Sequence, residues 1–134
     1  MFDRDVQSAQ IVLEADTSQI AYARRFIRGV LGDADPGVLD DLQLIASELF
    51  TNAVEHGVDL TVRLCVETSG GFASVSVHSR GLHPGIGPTE HWAVAEPSAT
   101  SGRGLGIVRR LADDVVVERI DDEVIVTARV ARHR

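Results

Sequence analysis

Apolar and polar positions along this 134-residue chain follow two rhythms, one of period two and one near 3.6 residues, and the breaks between them fall at Gly, Pro, Asp and Ser. Residues 10–15, Gln-Ile-Val-Leu-Glu-Ala, read as a short strand. Asp16-Thr17-Ser18 offers caps for a helix from about Gln19 to Leu31, with Gly32 as its stop. Ile20, Ala23, Ile27, Val30 and Leu31 recur at helical spacing, and Arg24, Arg25 and Arg28 share the other side as a solvated face. Pro36, behind the capping candidate Asp35, opens a second helix that runs to His56 and stops at Gly57. At 100° per residue, Val38, Leu39, Leu42, Ile45, Ala46, Leu49, Phe50, Ala53 and Val54 cover about half of its circumference.

Beyond Gly57 the period-two rhythm returns. Leu60–Glu67 and Phe72–His78 read as strands joined through Thr68-Ser69-Gly70-Gly71, a hairpin signature. Residues 80–101 carry Gly81, Pro84, Gly85, Gly87, Pro88 and Pro97 without periodicity, and a loop of that length in a small domain is read as functional. Gly104–Ala112 reads as a short helix. Val115–Ile120 and Glu123–Val130 form a last hairpin across Asp121-Asp122. This order predicts an α+β fold. Residues 1–134 form one domain, a two-layer sandwich with three helices on one face of a mostly antiparallel sheet.

Composition narrows the classes. With 13 basic and 20 acidic residues the formal charge is −7, which disfavours a direct nucleic-acid binder needing basic surface. All the basic residues are Arg, which excludes a P-loop lysine and a Schiff-base lysine. No apolar run approaches the ~20 residues of a membrane span, and Met1-Phe2-Asp3-Arg4-Asp5 lacks the pattern of a signal peptide, so a cytoplasmic location is expected. Cys65 is alone and is expected to be a small buried hydrophobe in mid-strand.

Two segments carry candidate chemistry. In Ser47-Glu48-Leu49-Phe50-Thr51-Asn52-Ala53-Val54-Glu55-His56-Gly57, Glu48 and Asn52 are four residues apart and border the apolar stripe at the mouth of a cleft. A carboxylate there can take a proton and an amide oxygen can bind Mg²⁺, although a solvated helix flank has the same pattern. In Ser101-Gly102-Arg103-Gly104-Leu105-Gly106, alternate glycines at a helix start can bring backbone N–H groups to an anion, although an ordinary glycine-rich turn reads alike.

Together the two segments resemble the ATP-binding domain shared by gyrases and histidine kinases, the GHKL class with its Bergerat fold. Within that class the chain is similar to the small bacterial anti-sigma factors that act as serine/threonine kinases. Residues 47–57 resemble the N box, and Ala-Thr-Ser-Gly-Arg-Gly-Leu-Gly-Ile-Val at 99–108 resembles the second glycine box. The resemblance implies ATP and Mg²⁺ as cofactors. It makes Asn52 the Mg²⁺ ligand, and Glu48 the base that takes the proton of a protein serine. Gly102, Gly104 and Gly106, with Leu105 between them, wrap the phosphates. Arg103 lies near the γ-phosphate, and residues 82–100 form a lid. The implied partners are an RNA polymerase sigma factor, an anti-anti-sigma (STAS-type) protein carrying the target serine, and a second copy of the chain.

The family's first glycine box reads Asp-x-Gly-x-Gly, and its Asp reads the adenine amino group. Here the run is Val77-His78-Ser79-Arg80-Gly81-Leu82-His83. Ser79 stands at the Asp position and His83 at the second Gly, while Gly81 is kept. Val124 takes the place of a threonine that relatives put in the last strand. Losing a charge-assisted hydrogen bond costs about 1.5–3 kcal/mol, or about tenfold to a hundredfold in affinity.

His78, His83 and His91 gather around the long loop beside Glu90, and Trp92 offers an anchor for a partner or for the core. Three readings follow. The first is an ATP-dependent serine kinase that also sequesters a sigma factor and serves a stress response. The second is a partner-switching binding module of the same fold with weak or no use of ATP. The third is a metal- or ligand-binding regulator built on the histidine loop.

Overall fold

The structure is a computed structural model that describes residues 7–80 and 100–132, with the backbone alone for 100–104. Its elements are β1 (Gln7–Glu14), a single 3-10 turn (Thr17–Gln19), α1 (Ile20–Leu31), α2 (Pro36–His56), β2 (Thr61–Ser69), β3 (Phe72–Arg80), α3 (Thr100–Leu111), β4 (Asp114–Ile120) and β5 (Glu123–Ala131). The strands form one sheet in the order β1-β2-β3-β5-β4, and every neighbouring pair is antiparallel. The α+β two-layer expectation stands, with an antiparallel sheet throughout.

Alternation along the strands sorts the side chains into two faces. Leu13, Val62, Leu64, Val66, Ala73, Val75, Val77, Val124, Val126, Ala128 and Val130 are buried under the helices. α2 lies between α1 and α3 and packs on β2, β3 and β5. It contributes Val38, Leu42, Ile45, Ala46, Leu49, Phe50 and Ala53 to the core. Phe50 is fully buried at the centre of this layer, and its burial contributes roughly 1.5–3 kcal/mol. The opposite face carries Gln10, Arg63, Cys65, Ser74, Ser76, His78 and Thr127. These are polar or small side chains left exposed or half-buried.

Local sequence accounts for the element ends. The Asp16 carboxylate accepts from the Ser18 N–H at 2.9 Å and caps the 3-10 turn that leads into α1. Asp35 caps α2 differently from the expectation. No side-chain cap bond forms, and its backbone carbonyl accepts from Leu39 N–H at 2.9 Å while Pro36 fills the first turn. The β2–β3 turn tightens to Gly70-Gly71, with Gly70 at φ +59°, a conformation that glycine adopts without a Cβ penalty. α3 begins at Thr100, four residues before the expected start. Among the described residues no helix is long and apolar enough to cross a membrane.

Candidate functional site

The best-defined cluster of polar atoms without partners lies along α2. Glu48, Asn52 and His56 are each four residues apart and form one row on the helix, with successive members about 6 Å apart along the axis. Asn52 is 6% exposed, and its Oδ1 has no hydrogen-bond partner among the described residues. The His56 Nε2 is likewise buried and unpartnered. Leaving such a group unsatisfied costs about 1–3 kcal/mol, which makes this row the candidate place for a ligand. A third orphan, Arg132 Nε, belongs to a guanidinium whose Nη2 already donates to Asp33 at 3.3 Å.

Glu48 is half-buried at the start of the row. Burial pushes its carboxyl above the usual value, and the neighbouring Glu55 charge adds to the rise. A carboxylate raised in this way is better matched to proton transfer near neutral pH. Below it, Ser47 closes its own account by donating from Oγ to the Gln43 carbonyl at 2.9 Å.

At the far end of the row the helix meets the end of β3. Val58 N–H donates to the Arg80 carbonyl at 3.0 Å. Gly57 is needed here by close approach: a Cβ would lie 2.6 Å from the Ala53 carbonyl oxygen and 3.3 Å from that of Arg80. Ser79, beside Arg80, points to the helix-covered face and is buried. Its partner across the ladder is Val124, also buried. Of the three positions that depart from the resemblance, Ser79 and Val124 are therefore direct neighbours on one face, and His83 lies outside the described residues.

A scan against family models matches residues 13–130 to the histidine kinase-like ATPase domain. The chain belongs to that family. Among solved structures, it is similar to the RsbU and RsbW domains of Rv1364c from Mycobacterium tuberculosis, at 20% identity and a TM-score of 0.68. That match covers 93% of this chain and 32% of the other, so the chain spans about a third of that protein's length. It is also similar to the histidine kinase domain of a blue-light-activated histidine kinase from Erythrobacter litoralis, at 16% identity and a TM-score of 0.54. This second match covers 98% of this chain and 70% of the other. Both likenesses show the fold. No curated protein matches the chain.

In this histidine kinase-like ATPase domain the remaining candidates fall as follows. Gly102, Arg103 and Gly104 lie in the opening of α3, where the backbone alone is described. The free N–H groups of a helix start are confined to its first turn, which includes Gly102 and excludes Leu105 and Gly106. Leu105 and Gly106 are buried. Gly81, His83, His91, Trp92 and the lid expected over 82–100, apart from Thr100, lie outside the described residues.

His78 lies on the face of the sheet opposite the Glu48–Asn52–His56 row, because it alternates with Ser79, while His83 and His91, with which it is expected to gather, lie outside the described residues. The His78 Nδ1 lies 3.1 Å from Arg63 Nη2 and 3.2 Å from Glu123 Oε1. Among the described residues no group of His, Cys, Asp and Glu could hold a metal ion. Cys65 is corrected, since it sits half-buried on the helix-free face. Its Sγ lies 3.8 Å from Gln10 Oε1, and burial raises the thiol. A shallow depression of about 610 Å³ on that face is lined by Ser8, Gln10, Cys65, Ser74, Ser76 and Thr127, across the sheet from the α2 row.

The buried, unpartnered Nε2 of His56 escaped the sequence reading, which gave the residue only as a letter of the 47–57 motif. Its four-residue spacing from Asn52 is the signal that points to it.

Proposed function

We propose that the chain is a cytoplasmic partner-switching regulator: an anti-sigma factor that holds an RNA polymerase sigma factor and, with ATP and Mg²⁺, phosphorylates a serine of a STAS-type antagonist. The observation that carries the reading is the buried, unpartnered Asn52 Oδ1 on the same helical row as Glu48. An amide oxygen is a hard ligand, suited to Mg²⁺, so the residues present fit the metal end of an Mg²⁺-nucleotide. When bound, Mg²⁺-ATP supplies the phosphoryl group. Asn52 would hold the cation. The opening of α3, with Gly102 and Gly104, would lie toward the phosphates with Arg103 near the terminal one, whereas Leu105 and Gly106 are buried beyond its first turn and offer no free N–H. Glu48 would take the proton of the serine hydroxyl as the general base.

A second reading keeps the fold and the partners without efficient use of ATP. It is favoured by Ser79 and Val124, which face each other at the base end with no carboxylate between them. The two readings separate in a phosphotransfer assay with the sigma factor and antagonist present. Under the first, Glu48→Gln lowers phosphotransfer by about 10²–10⁴-fold, the usual worth of a general base, while sigma-factor capture survives. Wild-type protein that captures both partners and transfers no phosphate at saturating Mg²⁺-ATP leaves the second reading standing.

A further inference from the structure

On the helix-free face of the sheet, His78 Nδ1 lies 3.1 Å from Arg63 Nη2 and 3.2 Å from Glu123 Oε1, and the last two atoms are 3.7 Å apart. A guanidinium only donates and an ionised carboxylate only accepts, while one imidazole nitrogen is a donor or an acceptor and never both. We propose that Arg63, His78 and Glu123 form a proton-operated switch: neutral His78 accepts from Arg63, and charged His78 donates to Glu123 and releases the Arg63 guanidinium. The two states tie different strands, β2 to β3 in the first and β3 to β5 in the second.

Register brings the three residues together. Arg63 stands opposite His78 in the β2–β3 ladder, and Glu123, opposite Arg80, is diagonal to His78 across the β3–β5 ladder. With Nδ1 bare, the bond from Arg63 is sound, but the carboxylate oxygen faces a lone pair at 3.2 Å. With Nδ1 protonated, the bond to Glu123 is sound, but two donors face each other at 3.1 Å. Charge on the ring strengthens the carboxylate bond and adds repulsion from the guanidinium, so protonation selects the second arrangement. Exposure decides which member moves. The His78 side chain is 18% exposed, against 41% for Arg63 and 32% for Glu123. The ring has little water to make good a mismatch, whereas Arg63 can turn to solvent on its long stem. Among the described residues, the rest of this face leaves the exchange to these three. Ile125 stands opposite His78 on β5 with Thr127 diagonal to it, Ser76 and Arg80 flank it on β3, and Cys65 follows Arg63 on the same face of β2. Arg80 keeps its charge in both states, and burial raises the Cys65 thiol, which stays neutral. A fixed surface pair of Arg63 and Glu123 accounts for their 3.7 Å separation but not for two shorter contacts on one nitrogen.

The test is nuclear magnetic resonance on the full chain between about pH 8 and about pH 5, the range in which histidine takes up its charge. At the upper end the Arg63 guanidinium, held by Nδ1, should give separate Nη resonances. At the lower end these should collapse to one as the group turns freely. The Glu123 carboxyl carbon should shift with the same midpoint as the His78 ring nitrogens. His78→Asn puts an amide that does not titrate where Nδ1 stood, and should abolish the pH dependence of the Arg63 signal. Glu123→Gln removes the charge that the protonated ring turns to, so Arg63 should stay held to lower pH than in the wild type. Arg63 resonances that do not change across the range overturn the proposal. So does a change that persists in His78→Asn, because the titrating group is then another. If that variant does not fold, the wild type decides: an Arg63 transition whose midpoint differs from that of the His78 ring overturns the proposal, and one midpoint shared by Arg63, His78 and Glu123 supports it.

Discussion

The two ends of the candidate site are built on opposite terms. On α2, Asn52 Oδ1 and His56 Nε2 are buried without partners among the described residues, and Glu48 holds its proton more tightly than an exposed carboxyl would. At the strand end, Ser79 is buried but already has an interaction partner, and Val124 opposite it offers no polar group. The helix end has unmet polar demand, while the strand end is already closed. Unmet demand costs stability, and a fold keeps it only where something else meets it. On the proposed reading, a nucleotide gains most from the α2 row and least from the β3–β5 corner.

The largest effect expected from this contrast is at Asn52. Asn52→Ala removes the one amide oxygen suited to the cation and should weaken Mg²⁺-ATP binding by about tenfold to a hundredfold. The ligand-free protein should change by no more than about 1 kcal/mol, because Ala is the better helix former and an orphan acceptor disappears. Calorimetry with and without Mg²⁺ checks the first part and thermal denaturation the second. Unchanged Mg²⁺-ATP affinity in a folded Asn52→Ala protein removes the cation role.

Ser79→Asp probes the closed end. It places a charged acceptor where the family has one, and should raise ATP affinity by about tenfold with little gain for GTP, whose base carries an oxo group in place of the amino group. The same carboxylate is buried beside Val124, so the ligand-free protein should lose stability that ATP restores. Flat or lower ATP affinity in Ser79→Asp means that the base does not reach this corner.

Much of this architecture was legible from residue order. α2 is announced by Pro36, by an apolar stripe from Val38 to Val54 and by Gly57, and its observed ends match. The strands were legible because alternation is strict where one face is buried, as from Val62 to Thr68 and from Ala73 to Ser79. Their ends were less so. The strand is expected to end at His78, yet the ladder carries on through Ser79 to Arg80↔Glu123. α3 starts early for a related reason: Gly102 and Gly104 have poor helix propensity, and the packing of Leu105 and Val108 into the core outweighs it. The orphaned atoms were not legible at all. Whether Asn52 Oδ1 finds a partner depends on which side chains the sheet and α3 bring to it, and no local pattern encodes that.

The smallest effect is on the pH dependence of stability, and it separates Glu48 from the ordinary carboxylates of this acidic chain. Burial raises the Glu48 carboxyl in the folded protein, with Glu55 assisting, from its ordinary 4.5 in the open chain. Between that value and the raised one, the folded state holds a proton that the unfolded state has released. Unfolding then releases protons, so stability falls as pH rises through this window and stays lower above it. A carboxylate paired in the fold would do the reverse. Glu48→Gln removes the titration, so the variant should lose less stability than the wild type from below pH 4.5 to neutral. At pH 7 its melting temperature should exceed the wild type's by roughly 1–3 °C, a small gain because the group is half-exposed and solvent screens it. Denaturation curves for both proteins across that range give the comparison. Parallel pH profiles would mean that Glu48 is solvated like its neighbours, and the α2 row would then hold two unmet groups, Asn52 and His56, without a carboxyl prepared for proton transfer.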